Sequence, residues 1–483
     1  METVARSLVP ARLDRLPWSG FHTRFVAALG VAWVLDGMEI TIASAVGSVL
    51  RDSRTLGLSA VEVGLTATVY LIGEVIGALV FGRLSDRFGR RRLFVLTLGL
   101  YLVANGITAF SPNLAFLLFF RFLSGAGIGG EYSAIHSAID ELIPSHYRGR
   151  VDLAVSGTYW LGAMIGTAST YVLLNPAVFP VNVGWRLGLL IGPLLGVAIW
   201  VLRRHLPESP RWLLMHGRQD EAERTTAAIE AAVESGGRPL PPVDEGRAME
   251  FRPHGAPSYR EIARVLLREY PRRTFLGATL MISQSFLYNA IFFTYVLVLS
   301  AFYGVTPHDA SKYLFAFALG NLAGPLVLGH LFDTLGRRVM ISSTYIISGA
   351  LLAVTGWLFE QRLLTATTQT LLWSVIFFIA SAAASSGYLT VSELFPLEIR
   401  ALAIAMFFAV AQTFGALGPT IFGALIGDRA HPDPARLFYG YLFAAAMMVF
   451  AGVVALVLAV DAERKSLEDL TPPLSMRDAG RCG

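Results

Sequence analysis

Twelve apolar stretches, each long enough to cross a lipid bilayer, constrain this chain more than any other feature. About 20 apolar residues are needed to cover the roughly 30 Å hydrocarbon core. Of the 483 residues, 54% are hydrophobic and only 15% are charged, whereas soluble proteins carry about 25% charged residues. We therefore predict an all-α membrane protein with twelve transmembrane helices. The predicted spans are 24–49, 61–82, 92–110, 113–137, 151–174, 185–203, 273–302, 310–331, 339–359, 370–391, 401–426 and 438–460.

A short basic turn after the second span recurs after the eighth. The first copy runs from Gly82 to Arg92, and the second runs from Gly329 to Arg338. An offset shared by several positions indicates two halves built alike. We therefore predict two pseudo-symmetric six-helix bundles. Three pairs of positions share the offset of 247 residues: Gly82 and Gly329, Asp86 and Asp333, and Gly89 and Gly336.

A polar stretch between the sixth and seventh spans divides the chain. It contains a charged helical pattern from Asp220 to Glu230 followed by a Gly/Pro-rich piece, which predicts a short amphipathic surface helix and a flexible linker. This stretch is too small and too poor in apolar residues for a separate enzyme domain. The predicted organisation is an N-terminal tail (1–22), a first bundle (23–204), a linker (205–271), a second bundle (272–460) and a C-terminal tail (461–483).

The distribution of basic residues predicts the orientation. With an even number of spans both termini lie on one side, and that side carries 31 of the 39 Lys and Arg residues. Loops rich in Lys and Arg stay in the cytoplasm, so we predict cytoplasmic termini in a plasma (inner) membrane protein. Because these residues follow the loops, we expect no nucleic-acid partner. The start of the chain has no cleavable signal pattern.

The pattern of reactive residues argues against catalysis. The single cysteine, Cys482, excludes an internal disulfide and a cysteine metal cluster. No pattern typical of a zinc hydrolase, a kinase, a P-loop or a Ser-His-Asp triad is present. We expect no enzyme activity, no cofactor and no metal.

Three ionisable residues are predicted to lie near the middle of the membrane. At about 1.5 Å per residue, Asp36 and Glu39 lie about 18 and 22 Å from the cytoplasmic surface, and Arg121 lies at a similar level. A charge at this depth costs about 2.5–3.5 kcal/mol, which an ion pair would reduce. We predict that Glu39 carries a coupling proton, with Arg121 as its partner and Asp36 assisting. A purely structural ion pair is the alternative.

Neutral polar and aromatic residues reach the same depth in both halves. We predict that they line a substrate pocket between the bundles, although hydrogen bonds between helices could explain each one singly. For Asn321 both interpretations stand equal. Glu131, with Glu74, lies nearer the cytoplasmic side, where it either extends the proton path or only holds helix four. The predicted pocket residues are Gln284, Tyr288, Asn289, Gln412, Asn321, Tyr159 and Trp160.

Charged residues at the ends of spans repeat in the two halves. Glu-x-x-Pro-x-x-x-Arg ends both the fourth and the tenth span. Opposite charges there can pair within a half and hold the cytoplasmic side shut in one state. Anchoring of loops to lipid headgroups is the alternative. The predicted gate residues are Asp86, Arg90, Glu141, Arg148, Asp333, Arg337, Glu393 and Arg400.

These motifs resemble the major facilitator superfamily, and four of them carry the resemblance. The turn from Gly82 to Arg91 looks like its loop between helices two and three. Three others are similar to the sugar-porter branch and lie at Arg121–Gly130, Leu206–Leu213 and Asp461–Leu470.

Further motifs narrow the resemblance within that branch. Leu35–Glu39 and Gly129–Tyr132 are similar to metabolite:proton symporters, including relatives of the nicotinate transporter and the synaptic vesicle glycoproteins. By this resemblance, Glu39 aligns with the coupling acid of sugar/proton symporters. Ser283 stands where the sugar porters usually have a second Gln, which places a hexose substrate in doubt.

These observations together predict a secondary active transporter. We expect it to move an organic or aromatic acid or a sugar-like metabolite by proton symport, with two bundles giving alternating access. Its expected partners are the substrate, protons and the lipid bilayer, and we expect a monomer. A proton-independent facilitator or an exporter is the alternative, and a non-transporting sensor is the alternative from another class.

Overall fold

Long helices account for most of the computed structural model, which describes residues 5–203, 207–237, 239–251, 258–395, 397–426 and 433–460. Twelve helical segments follow one another, and the eleventh is interrupted at Ala416. They are α1 (Gly20–Val49), α2 (Ala60–Phe88), α3 (Arg90–Thr108), α4 (Leu114–Leu142), α5 (Ser145–Leu173), α6 (Val181–Arg203), α7 (Pro271–Tyr303), α8 (Pro307–Leu328), α9 (Arg337–Glu360), α10 (Ala366–Leu394), α11 (Leu397–Gly415 and Leu417–Ile426) and α12 (Pro434–Leu458).

The composition of these helices suits a bilayer. Within the described ranges, nine helical segments are long and apolar enough to cross a membrane by length and composition. The surface carries large apolar side chains, among them Leu194, Leu326 and Val457, each more than 60% exposed. Extended apolar surface of this kind would be unstable in water and is stable against lipid tails. The prediction of an all-α membrane protein is confirmed.

The two halves pack their helices in the same pattern. In the first half α2 contacts α4, α1 contacts α5, and α3 contacts α6. In the second half the corresponding contacts are α8 with α10, α7 with α11, and α9 with α12. Between the halves, α5 contacts α8 and α2 contacts α11, which is again a symmetric pair. This is the predicted pseudo-symmetric arrangement of two six-helix bundles.

One end of the bundles, which we call the linker face, carries the tail and the linker. A short helix at Val9–Asp14 packs against a linker helix at Gln219–Glu234. Their buried apolar side chains form a small cluster that includes Leu13, Ile229 and Val233. A two-stranded antiparallel ribbon, β1 (Ala5–Ser7) with β2 (Met249–Phe251), joins the tail to the linker. The other end of the bundles is called the opposite face.

Several helices continue past the ends expected from hydropathy. The second span was expected to end at Gly82, but α2 runs on to Phe88, and Gly89 alone makes the turn into α3 with φ +95°. The fourth and fifth helices likewise extend to Leu142 and begin at Ser145. Charged side chains favour helix once it leaves hydrocarbon, so apolar length underestimates helix length. Glu74 lies 14 residues from both ends of α2, and its expected position nearer the cytoplasmic side of the membrane stays a prediction.

Two glycines allow the close helix contacts that position the central polar residues. A Cβ atom on Gly129 of α4 would lie 1.9 Å from the carbonyl oxygen of Glu74. A Cβ atom on Gly37 of α1 would lie equally close to the carbonyl oxygen of Tyr159 on α5. Small residues at such crossings let two backbones touch. They bring Glu74 against α4 and Tyr159 against α1.

Candidate functional site

A buried ion pair joins α1 to α4 near the centre of the first half. Arg121 Nη1 lies 2.8 Å from Glu39 Oε1, and both residues are almost fully buried. Ser124 donates a hydrogen bond of 3.1 Å to the same carboxylate oxygen. The Arg121 guanidinium also lies 4.2 Å from the ring centre of Tyr70 on α2. The structure thus brings together the two residues that the depth argument paired.

Asp36 lies one turn before Glu39 on α1 and has different partners. Tyr70 donates a hydrogen bond of 3.2 Å to its Oδ1, and Tyr132 donates to its Oδ2. Asp36 is 2% exposed. Two hydroxyl donors satisfy a buried carboxylate without a second cation. Tyr70 therefore connects Asp36 to the ion pair, because its ring faces Arg121 and its hydroxyl faces Asp36.

Glu74 on α2 reaches across to the second half. Gln412 of α11 donates its amide Nε2 to Glu74 Oε2 at 2.9 Å. The Oε1 of Gln412 accepts from Asn289 Nδ2 at 3.0 Å and from the hydroxyl of Ser285, both on α7. A chain of hydrogen bonds therefore runs from α7 through α11 to a carboxylate of the first half.

Aromatic rings bridge the two halves beside this chain. Trp160 of α5 lies 5.9 Å from the ring centre of Tyr288 and 5.7 Å from that of Phe292, both on α7. Tyr159 contacts Trp160 on one side and Trp33 of α1 on the other. Trp33 in turn packs on Tyr132, the partner of Asp36. Aromatic contacts thus connect the acids to the second bundle.

The predicted pocket residues differ in how their polar groups are engaged. Asn321 accepts from Tyr288 at 2.9 Å and donates to the carbonyl oxygen of Phe317, so its amide serves packing within the second half. Gln284 is buried, yet its amide has no hydrogen-bond partner among the described residues. Its amide is therefore more available to a substrate than that of Asn321.

Glu131 is buried on α4 next to Tyr132. This position places a further carboxyl group on the helix that carries Arg121. Its part in a proton path stays a prediction.

Part of the predicted gate is visible on the linker face. Arg90 Nη2 lies 3.0 Å from Glu141 Oε1, and the Arg90 amide donates to Glu208 of the linker at 2.9 Å. This ion pair joins α3 to α4 within one half, as predicted for paired charges there. Arg337 begins α9 after Gly336, which has φ +104° like its counterpart Gly89. The side chains of Asp86, Arg148, Asp333, Glu393 and Arg400 lie outside those that the structure describes, as do residues 461–483.

The opposite face holds hydrogen bonds between the halves. Thr68 of α2 donates to the carbonyl oxygen of Ala416 at 3.1 Å, and its hydroxyl lies 3.0 Å from that of Thr420. The hydroxyls of Thr170 on α5 and Ser311 on α8 lie 3.4 Å apart. These contacts close the opposite face along both symmetric helix pairs.

Sequence reasoning missed the residues that hold the predicted ones in place. Tyr70 and Glu74 are four positions apart and so lie on one face of α2. That spacing was visible, but a sequence does not specify which way this face of the helix points. Ser285 and Trp33 gave no comparable signal, because Ser and Trp are ordinary residues inside membrane helices.

The fold and the buried polar centre define a class of protein. Two pseudo-symmetric six-helix bundles with polar residues at their mutual interface are the architecture of a multi-pass membrane transporter of the major facilitator superfamily. The chain belongs to the family described as Sugar (and other) transporter, whose model matches residues 27–472. Members of this family are transporters and not enzymes.

Individual relatives agree with this placement. A niacin transporter of Acinetobacter baylyi is 26% identical over 461 residues, which cover 95% of this chain and 99% of the relative. The putative metabolite transport protein YdjK of Escherichia coli is 27% identical over 491 residues, covering 98% of both chains. The xylose transporter XylE from E. coli, in a partially occluded inward-open conformation, matches with a TM-score of 0.69 at 18% identity. That match covers 91% of this chain and 99% of the other and shows a shared fold.

Proposed function

We propose that the protein moves a small organic metabolite together with protons by alternating access of its two bundles. The observation that carries this proposal is the buried pair of Glu39 and Arg121, joined at 2.8 Å in the first half. Protonation of Glu39 would break the pair, and a pair that can be broken by a proton suits a coupling site. Asp36, beside it, assists, and Glu131 would extend the path.

The substrate in this proposal binds between the bundles. The amide of Gln284 and the rings of Tyr159, Trp160 and Tyr288 supply hydrogen bonds and flat apolar surface there, with Asn289, Gln412 and Asn321 adjoining. These groups suit a small ring compound with polar substituents. Because one relative is a niacin transporter, nicotinate is the first compound to test. Sugars, polyols and other organic acids follow.

The proposed orientation places the linker face and both termini in the cytoplasm of a plasma (inner) membrane protein. The excess of Lys and Arg on that side supports it. The ion pair of Arg90 with Glu141 would then lie at the cytoplasmic surface and contribute to a gate there. We propose the protein as a monomer.

The test uses proteoliposomes with a pH-sensitive dye outside. Nicotinate, other organic acids, sugars and polyols are added in turn, and the expected result is external alkalinisation with one of them. A Glu39→Gln protein should give no alkalinisation and no accumulation but should still exchange substrate. Glu234→Gln is the matched control, because Glu234 is exposed on the linker helix. Substrate entry without proton movement would instead establish a facilitator.

A further inference from the structure

Glu74 is an acidic residue that joins the two halves by a hydrogen bond, and the pattern of the sequence gave it no role. It lies at the midpoint of α2 and is 1% exposed. Its Oε2 accepts one hydrogen bond, from Gln412 of the second half, while its Oε1 has no hydrogen-bond partner among the described residues. Only one of the two carboxylate oxygens therefore has a hydrogen-bond donor among the described residues.

We propose that Glu74 is a second proton-binding site, and that the opposite face closes when this carboxyl group carries a proton. The proposal rests on the proton-coupled function given above and extends it to a residue at the interface between the bundles. The ligand of the site is a proton, and its effect is on the hydrogen bonds between α2 and α11.

The position of Glu74 connects its charge to closure. Thr68 lies six residues before it on α2, about 9 Å nearer the opposite face, and makes the hydrogen bonds to Ala416 and Thr420 that close that face. The hydrogen bond of Glu74 with Gln412 is the deepest described one between the same two helices. Separating α2 from α11 at the opposite face would therefore expose Glu74 to water, and closing them buries it.

Burial of an ionised carboxylate with one donor is unfavourable. An ion transferred from water into a protein interior costs several kcal/mol unless its partners replace the lost hydration. Gln412 supplies one neutral amide hydrogen bond. A proton on Oε1 removes the charge and leaves Oε2 free to accept from Gln412. The protonated Glu74 carboxyl group is thus compatible with the closed arrangement, whereas the ionised carboxylate destabilises it.

The charged groups around Glu74 also favour its neutral form. Among the described residues, the titratable and charged groups that face Glu74 include Asp36 and Glu39 on α1, Arg121 and Tyr132 on α4, Tyr159 on α5 and Tyr70 on its own helix. Arg121 is paired with Glu39, and Asp36 adds a second acidic group. An ionised Glu74 would face more acidic groups than basic ones, which favours its neutral form when buried.

The orientation of the Gln412 amide supports this arrangement. Its Oε1 accepts from Asn289 and Ser285, so its Nε2 points towards Glu74. Glu74 must accept there in either protonation state. When α2 moves away, Nε2 loses this acceptor and becomes available to a substrate in the pocket. Opening of the face would therefore expose the proton site and free a substrate-binding amide in one movement.

The test measures closure directly and needs no substrate. Cys482, the single cysteine, is replaced by Ser, and spin labels are attached at Val61→Cys in the first half and Leu363→Cys in the second. Both positions are well exposed at the opposite face. Pulsed electron resonance then gives the fraction of molecules with the short interlabel distance as the pH is lowered from about 8 to about 5. One linked proton changes the closed-to-open ratio by up to about tenfold per pH unit.

The expected result is that the parent closes as the pH falls, with the ratio rising at least about fivefold. Glu74→Gln, which is neutral and can still accept from Gln412, should be mostly closed at every pH, with a change below about 1.5-fold. Glu74→Asp keeps a carboxyl group and should still respond to pH. Thr68→Val removes hydrogen bonds without changing charge, so it should open the face while keeping the pH response.

A full pH response in Glu74→Gln would overturn the proposal. Gln412→Leu gives an independent reading if Glu74→Gln does not fold. Without its donor the carboxylate is costlier to bury, so the closed fraction at high pH should fall, and an unchanged closed fraction would also overturn the proposal. The proton symport itself is judged separately by Glu39→Gln in the dye experiment, so either idea can fail while the other stands.

Discussion

Arg121 uses one guanidinium group for two different contacts. Its Nη1 pairs with Glu39, and its plane lies over the Tyr70 ring at 4.2 Å. A planar, delocalised cation can do both, whereas the ammonium of Lys is a compact charge that needs more hydration. Arg121 thereby holds α1, α2 and α4 around the acids, and charge alone is not enough at this position.

Arg121→Lys is therefore expected to impair transport although the charge is kept. We expect proton-driven uptake to fall about tenfold or more, because losing a well-formed charged hydrogen bond costs about 1.5–3 kcal/mol. Initial uptake in proteoliposomes measures the effect. Arg186→Lys is the matched control, since Arg186 lies 4.3 Å from the Trp185 ring but far along the chain from the acids. Equal rates for both variants would show that the geometry of Arg121 is unimportant.

The contact of α2 with α4 depends on a residue without a side chain. A methyl group on Gly129 would be forced into the carbonyl oxygen of Glu74, at 1.9 Å. Gly129→Ala should push the helices apart and lower the free energy of unfolding by about 1–3 kcal/mol. Thermal unfolding in detergent measures this as a lower Tm. Gly157→Ala on α5 is the control, because a Cβ atom there meets nothing within 4 Å. A Tm unchanged in Gly129→Ala would contradict the close packing.

The hydropathy of the sequence predicts some properties of the helices and not others. It records where a helix lies in hydrocarbon, so the twelve segments and the depths of Asp36, Glu39 and Arg121 were accessible. It does not record where a helix ends in water, and α2 continues six residues beyond Gly82. Hydrogen bonds such as that of Tyr132 to Asp36 depend on helix rotation, which a sequence with such uniformly apolar spans does not specify.

The tail helix Val9–Asp14 is held on the linker helix partly by charge. Arg15 Nη2 lies 2.7 Å from Glu230 Oε1, and Arg12 Nε donates to the same oxygen at 3.1 Å. Burial acts to raise the pKa of Glu230, but the hydrogen bonds from Arg12 and Arg15 prevail and hold it below its ordinary value of 4.5. Because this pKa is lowered on docking, the contribution of Glu230 is present above pH 4.5 and is lost as the pH falls through the lowered value.

Glu230→Gln should therefore loosen the tail at neutral pH but change little in acid. Hydrogen exchange of the amides in Val9–Asp14 measures this, with the variant compared to the parent at the same pH. We expect several-fold faster exchange in the variant at pH about 7 and a small difference once the pH has fallen below the lowered pKa of Glu230. Glu234→Gln, exposed on the same helix, is the control. A difference that persists in acid would mean that the shape of Glu230, and not its charge, holds the tail.

At the scale of the whole molecule, the described contacts separate two kinds of interaction. Arg90 with Glu141 and Glu39 with Arg121 lie within the first half and would move with it as one body. Thr68 with Thr420, Thr170 with Ser311 and Glu74 with Gln412 join the halves and would break in the proposed rocking of the bundles. The bonds between halves are mostly neutral hydroxyl and amide contacts, which cost little to exchange for water. Glu74 is the exception among these three contacts, since its charge can change as they break.

The ion pair of Arg90 with Glu141 on the linker face lies within one half, and this limits its possible effect on a gate. Since Arg90 and Glu141 both belong to the first half, their pair can influence a gate by fixing the linker-face ends of α3 and α4. Both side chains are only 10–17% exposed, so the pair is better shielded than an ordinary surface ion pair.

Arg90→Glu should place two carboxylates together, distort the linker-face ends of α3 and α4 and slow transport several-fold. Glu141→Arg should do the same, and the double variant should recover much of the loss, because the opposite charges are restored in exchanged positions. Uptake rates of the four proteins measure the coupling. Recovery in the double variant would identify the pair as the cause, whereas additive losses would mean that the two side chains act through separate contacts.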